Sequence, residues 1–170
     1  MGGGKPLRLL GARTLLDRAI ERARGWSDTV AVSARHPEQV GDTRLPVLID
    51  PPGLAGPLAG LAAARELGRD MVLTIPCDMP FLPLDLPAVL AAVLPGHGAA
   101  LASGEGRLHP VCGLWECAAL DGIEAYAASG HSSLIGFARS IGFATAELGA
   151  AAVGNINSPE ELAEAEARLG

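Results

Sequence analysis

The sequence predicts an α/β domain built on an open, mostly parallel sheet with helices on both faces. Two observations carry this. Short, β-branched apolar runs alternate with segments of helical period, and no fixed-period repeat or low-complexity linker interrupts the alternation.

Taken in order, Leu15, Leu16, Ala19, Ile20 and Ala23 recur at helical spacing while Asp17, Arg18, Glu21 and Arg22 fill the opposite face. A helix is therefore predicted over Thr14–Arg24, with Thr14 as its N-cap. Thr29–Ala34 (TVAVSA) and Leu45–Ile49 (LPVLI) read as short buried strands. Leu54–Leu67 follows as a helix whose Gly and Ala content permits close packing, and MVLTI (Met71–Ile75) is the clearest strand in the chain. Beyond it, helices are predicted over Leu84–Leu94, Ala118–Ala128 and Leu134–Ile141, and strands over Ala99–Ala102, Val111–Trp115 and Phe143–Leu148. Near the C-terminus, Ser158-Pro159-Glu160-Glu161 combines a capping serine, a proline suited to the first helical turn and a glutamate three residues after the serine. Glu161–Leu169 is then the last helix.

A length of 170 residues with 49% hydrophobic and 19% charged content suits one domain spanning residues 1–170. The net charge of −6 offers no basic field for nucleic acid or anionic membrane, so an anionic ligand needs a local site. Three cysteines, Cys77, Cys112 and Cys117, form no C-x-x-C pair and leave an odd count, which indicates neither a disulfide framework nor a zinc knuckle and fits a reducing cytoplasm. No apolar run approaches the roughly 18 residues of a membrane span, and no signal-peptide pattern opens the chain, so a cytoplasmic protein is expected.

Several places carry candidate chemistry. Asp78, in Ile75-Pro76-Cys77-Asp78-Met79-Pro80, follows the MVLTI strand between two prolines; it reads either as a Mg²⁺ ligand, since that ion takes one or two carboxylates plus substrate phosphates, or as an ordinary turn acid. Asp50, after the LPVLI strand, either faces one crevice together with Asp78 or, more simply, closes a turn. Gly56-Pro57-Leu58-Ala59-Gly60 opens a helix and either leaves backbone N–H groups for a ligand or serves close packing. His109 precedes an apolar strand and has no neighbours at metal-ligand spacing, which favours a core or edge role. Cys77 beside Asp78 reads as a small buried hydrophobe, because the acid opposes a thiolate. Asn155 and Asn157 fall on the same side of an extended stretch before the last helix, where they either orient a polar ligand or close the turn. At the N-terminus, Gly2, Gly3 and Gly4 can aim successive N–H groups at phosphate oxygens, with Lys5 adding a point charge.

In combination these segments resemble the molybdenum cofactor guanylyltransferase (MobA) family over nearly the whole chain. Met1-Gly2-Gly3-Gly4-Lys5 is similar to the last five positions of the family's L-A-G-G-x-S-x-R-M-G-x-D-K signature. Gly56–Gly60 matches its G-P-L-A-G, Pro76–Pro80 its P-C-D-M-P, His109-Pro110 its H-P, and Asn155–Leu162 its N-x-N-x-P-E-E/D-L ending. G-P-L-A-G is shared with related nucleotidyltransferases, whereas P-C-D-M-P and the N-x-N-x-P ending are specific together.

The resemblance implies a Rossmann-like nucleotidyltransferase fold, three layers α/β/α, that transfers GMP from Mg·GTP to molybdopterin and releases pyrophosphate. It implies that Gly2, Gly3 and Lys5 meet the GTP phosphates, that Asp78 binds Mg²⁺, that Asp50 and Ser33 serve the nucleotide site, and that Asn155 and Asn157 serve the molybdopterin side. Lys5 and Asp78 are the catalytic pair on this reading; GTP and molybdopterin are the partners, with transient contacts to other molybdenum cofactor proteins. Two departures stand out: Gly4 replaces the signature acid, and the family's first strand with L-A-G-G-x-S-x-R has no counterpart. That strand is central in the fold, so we expect its neighbours to be unpaired, and an internal methionine or a lost leading segment is the expected reason. Two other functions remain open: a relative using CTP or a sugar phosphate, and a non-catalytic nucleotide- or cofactor-binding protein.

Overall fold

The computed structural model describes residues 4–169. A 3-10 turn at Lys5–Leu7 leads into a two-residue hairpin, β1 (Leu9–Leu10) and β2 (Arg13–Thr14), that propensity alone does not announce. Gly11, at φ +63°, permits its turn, and the Arg18 guanidinium holds the Leu10 carbonyl from Nε and Nη2 at 2.9 and 2.6 Å. Helix α1 (Leu15–Arg24) begins with Thr14 as N-cap, whose hydroxyl accepts from the Asp17 amide while the Asp17 side chain reaches back to the Thr14 N–H.

Strands β3 (Val32–Ala34) and β4 (Val47–Ile49) pair in parallel, shorter than predicted at their starts. Helix α2 (Pro57–Ala64) follows, then β5 (Met71–Thr74), α3 (Leu86–Val93), and the hairpin of β6 (Ala99–Gly104) and β7 (Arg107–Glu116). Its two-residue turn places both Glu105 (φ +51°) and Gly106 (φ +72°) in the left-handed region, as tight hairpin turns of this twist require. Helices α4 (Ile123–Ala128) and α5 (Leu134–Ile141), strand β8 (Phe143–Glu147) and helix α6 (Pro159–Ala167) complete the chain. The single helix predicted over 118–128 is divided, Cys117–Gly122 being 3-10.

The main sheet has four strands in the order β5-β7-β6-β8. It is mixed: β5, β6 and β8 share one direction and β7 opposes both its neighbours, so the mostly parallel expectation holds for strand direction but fails at β7. The cause is local, because a two-residue turn after β6 can only return the chain antiparallel. Between Leu101↔Gly113 and Ala102↔His109 the register shifts, bulging Pro110-Val111-Cys112 out of the ladder; proline, with no N–H to donate, sits where pairing is interrupted.

The pairing is also divided, as expected from the sequence. The β3–β4 pair and the four-stranded ladder share no strand pairing among the described residues, leaving one edge of β3 and one of β5 without a strand neighbour. Helix α2 spans the division: it packs on β3 and β4 while Leu58, Leu61 and Ala62 join the cluster of Leu101, Trp115 and Phe137. Trp115, fully buried, donates from Nε1 to Thr74 Oγ1 at 2.9 Å and ties β7 to β5. In an NMR hydrogen-exchange experiment we expect alternate amides of Met71–Thr74 to exchange far faster than those facing β7; uniform protection along β5 would contradict the division.

Candidate active site

The loop after β5 sets the site. Strand β5 ends at Thr74, and Pro76 and Pro80 stiffen the segment between them while Met79 and Leu82 anchor it in the core under α3. Asp78 is left at the surface of this loop, its side chain 19% exposed. The Asp78 carbonyl accepts from the Ile156 N–H at 2.9 Å, so the segment before α6 is fastened to the loop that carries the acid.

Ile156 is buried against Leu10, Leu15 and Ala165, which turns its neighbours Asn155 and Asn157 outward together. The capping box predicted for α6 is present: Ser158 Oγ accepts from the Glu161 N–H at 3.1 Å, and Glu161 Oε2 accepts from the N–H groups of Ser158 (2.9 Å) and Asn157 (2.5 Å).

Onto this cradle the 3-10 turn brings Lys5. Its Nζ donates to Asp78 Oδ2 at 2.5 Å and to Asn157 Oδ1 at 2.7 Å. The ammonium is part-buried at 25% exposure, between a charged and a neutral oxygen. Pro6 begins the turn and the Leu15 N–H donates to the Arg8 carbonyl, which ties the lysine's segment to α1.

Beside Asn155 and Asn157 lies a cleft of about 390 Å³ whose wall includes Phe81, Arg107, His109 and Arg168. The Arg168 guanidinium stacks 3.7 Å over the Phe81 ring and donates to the Ala151 carbonyl. His109 lies half-buried in β7 at the cleft wall, and its Nε2 is enclosed with no hydrogen-bond partner among the described residues. Arg107, Arg168 and Phe81 are not singled out by the sequence, because no local pattern marks residues that meet only where the loop after β5, the end of α6 and the start of β7 come together.

Ser33 and the Gly56–Gly60 segment form a second grouping. A Cβ on Gly60 would stand 2.6 Å from Ser33 Oγ, so the glycine lets α2 close onto β3. Gly56, at φ +68°, caps α2 ahead of Pro57. Asp50 follows the end of β4 and is half-buried. No hydrogen bond among the described residues links Ser33 or Asp50 to the Lys5–Asp78–Asn157 cluster, and Gly2 and Gly3 lie outside the described residues.

Burial, and then the charge of Asp78, push the Cys77 thiol up, and burial alone carries Cys112 to about 12. A raised thiol carries little thiolate, which disfavours both as nucleophiles; Cys77 is half-buried, not buried as the sequence suggested. For Mg²⁺, the donor set is a carboxylate reachable from solvent, with no group of three or more His, Cys, Asp or Glu side chains able to form a metal cage among the described residues. That fits an ion that takes one protein carboxylate and completes its shell with water and phosphate oxygens. No described helix is long and apolar enough to cross a membrane.

Comparison with known proteins identifies the family of the chain. Residues 1–142 match the model of the MobA-like NTP transferase domain. A molybdenum cofactor guanylyltransferase of Cereibacter sphaeroides (strain ATCC 17029) is 42% identical over 176 residues, covering 99% of this chain and 90% of the relative. One from Rhizobium meliloti (strain 1021) is 36% identical over 187 residues, covering 99% and 86%. Among solved structures, molybdopterin-guanine dinucleotide biosynthesis protein A from Archaeoglobus fulgidus superposes with a TM-score of 0.77 at 18% identity, over 97% of this chain and 90% of that one. The 2-C-methyl-D-erythritol 4-phosphate cytidylyltransferase of Thermus thermophilus gives 0.71 at 23% identity, over 99% and 95%, and shares the nucleotidyltransferase fold. With its family model matched over most of its length and close relatives aligned along nearly all of it, the chain belongs to the MobA-like NTP transferase family.

Proposed function

We propose that this protein is a molybdenum cofactor guanylyltransferase, transferring GMP from Mg·GTP to molybdopterin as one 170-residue cytoplasmic domain. The relatives that share 42% and 36% of their aligned residues carry that name, and the observation that carries the chemistry here is the convergence of Lys5 on Asp78, 73 positions apart, at the end of β5.

A phosphate oxygen of molybdopterin attacks the α-phosphorus of GTP in line. The new P–O bond forms as the bond from the α-phosphorus to the bridging oxygen breaks, and pyrophosphate leaves with that oxygen's electron pair. Lys5, through its ammonium, balances charge on the departing phosphates. Asp78 would hold the Mg²⁺, which neutralises triphosphate charge when bound. Ser33, Asp50, and Gly2 and Gly3 ahead of Lys5, serve the nucleotide. Asn155 and Asn157 border the cleft of about 390 Å³, which has the size and the mixed polar and cationic lining to receive the molybdopterin end. Holding both substrates against one loop supplies the orientation on which phosphoryl chemistry depends.

The test is pyrophosphate release by the purified protein with molybdopterin and Mg²⁺, supplied in turn with GTP and CTP. We expect turnover with GTP to exceed that with CTP by at least about 100-fold, the range open to a site that hydrogen-bonds a base edge. Preference for CTP, or nucleotide binding with no pyrophosphate from either, would replace this reading by the cytidylyl or the non-catalytic alternative.

A further inference from the structure

We propose that Asn157, besides bordering the cleft, is a positioning residue for Lys5 and so acts on the nucleotide as well. The inference rests on the nucleotide-site reading above and adds a role to a residue that its place beside the cleft would assign to molybdopterin.

The geometry supporting it is a chain of fixed contacts. Glu161, held in the α6 capping box, accepts from the Asn157 N–H at 2.5 Å, and the Ile156 N–H is bound to the Asp78 carbonyl at 2.9 Å. Asn157 is therefore set by two anchors before its side chain is used. Its Oδ1 accepts from Lys5 Nζ at 2.7 Å. A lysine ammonium sits on a flexible stem with several rotatable bonds, so two oxygens converging on it from rigid supports remove most of that freedom.

The two oxygens differ in a way that matters for function. Asp78 Oδ2 holds Lys5 but cancels its charge, and the same carboxylate is the one proposed above to hold Mg²⁺. Asn157 is neutral. It can keep the ammonium in place while leaving the full positive charge for a triphosphate, and it remains available when Asp78 turns to a cation.

Affinity for Mg·GTP, measured by titration calorimetry without acceptor, separates the possibilities. Asn157→Ala should weaken binding about tenfold, the scale of one charge-assisted hydrogen bond. Asn157→Asp should weaken it at least as much, because a second carboxylate neutralises the lysine it holds. In a Lys5→Ala background Asn157→Ala should change affinity by less than about twofold, since a pair acting as one unit is not additive. Equal losses with and without Lys5, or no loss from Asn157→Ala in the native background, would overturn the positioning role. If Lys5→Ala itself leaves Mg·GTP affinity unchanged, the nucleotide-site reading falls instead. Thermal unfolding of each variant identifies loss of fold, and the near-isosteric, uncharged Asn157→Leu, which also removes the acceptor, keeps the test decisive should the alanine variant not fold.

Discussion

Asp78→Asn is expected to abolish nucleotidyl transfer, lowering kcat by on the order of 10³-fold, while the protein still folds. The substitution keeps shape and an acceptor oxygen, so Lys5 Nζ retains a partner at a position now 2.5 Å from Oδ2. What disappears is the negative charge, and with it the hard-oxygen grip on a divalent cation. The cost to stability should be small, because both side chains of the ion pair remain partly open to solvent at 25% and 19% exposure. Pairs of that kind contribute about 1 kcal/mol or less, which corresponds to a Tm shift of roughly 2–4 °C in a chain of this size. Steady-state pyrophosphate release and a thermal melt on the same preparation check both halves. Retained transfer in the folded variant would remove Asp78 from the chemistry; a collapsed melt would make it structural.

Gly60→Val should destabilise the fold by about 1–3 kcal/mol, the usual cost of overpacking a close contact. A Cβ at residue 60 meets Ser33 Oγ at 2.6 Å and Ser33 Cβ at 3.3 Å. The hydroxyl can rotate away, but the Cβ belongs to β3 and cannot, so α2 must lift from the strand. Because α2 is the element that joins the β3–β4 pair to the Leu101–Trp115–Phe137 cluster, the displacement is felt on both sides of the divided sheet. Urea unfolding measures the loss. Adding Ser33→Ala removes the nearest atom and should recover part of it; full additivity of the two changes would show that the Ser33 contact is not the cause.

Legibility differed from one part of the chain to another for identifiable reasons. Helix α1 and the capping box of α6 were readable because their determinants are local: an apolar stripe, a threonine or serine cap, and an acid three residues on. The β1–β2 hairpin was not, since two-residue strands carry no period and this one is held by Arg18 reaching back from the helix. The direction of β7 was missed because a run of apolar residues looks the same in either orientation, and the Glu105-Gly106 turn that decides it was not read as a hairpin.

For the site, the amino-acid sequence by itself determined the chemistry available. It placed an acid after β5 between prolines, put two asparagines on one side of an extended stretch, set a lysine after glycines, and through its motifs pointed to the family to which the chain belongs. Tertiary structure decided which of these groups act together. Asp78 and Asn157 lie 73 and 152 positions after Lys5 and meet at its ammonium, whereas Ser33 packs on Gly60 and Asp50 follows β4, neither bonded to that cluster. The physical reason is that side-chain type and backbone period are local properties, while a hydrogen bond between distant segments exists only once the core has closed. Burial of Ile156 and its amide's bond to the Asp78 carbonyl are what carry Asn157 to the lysine.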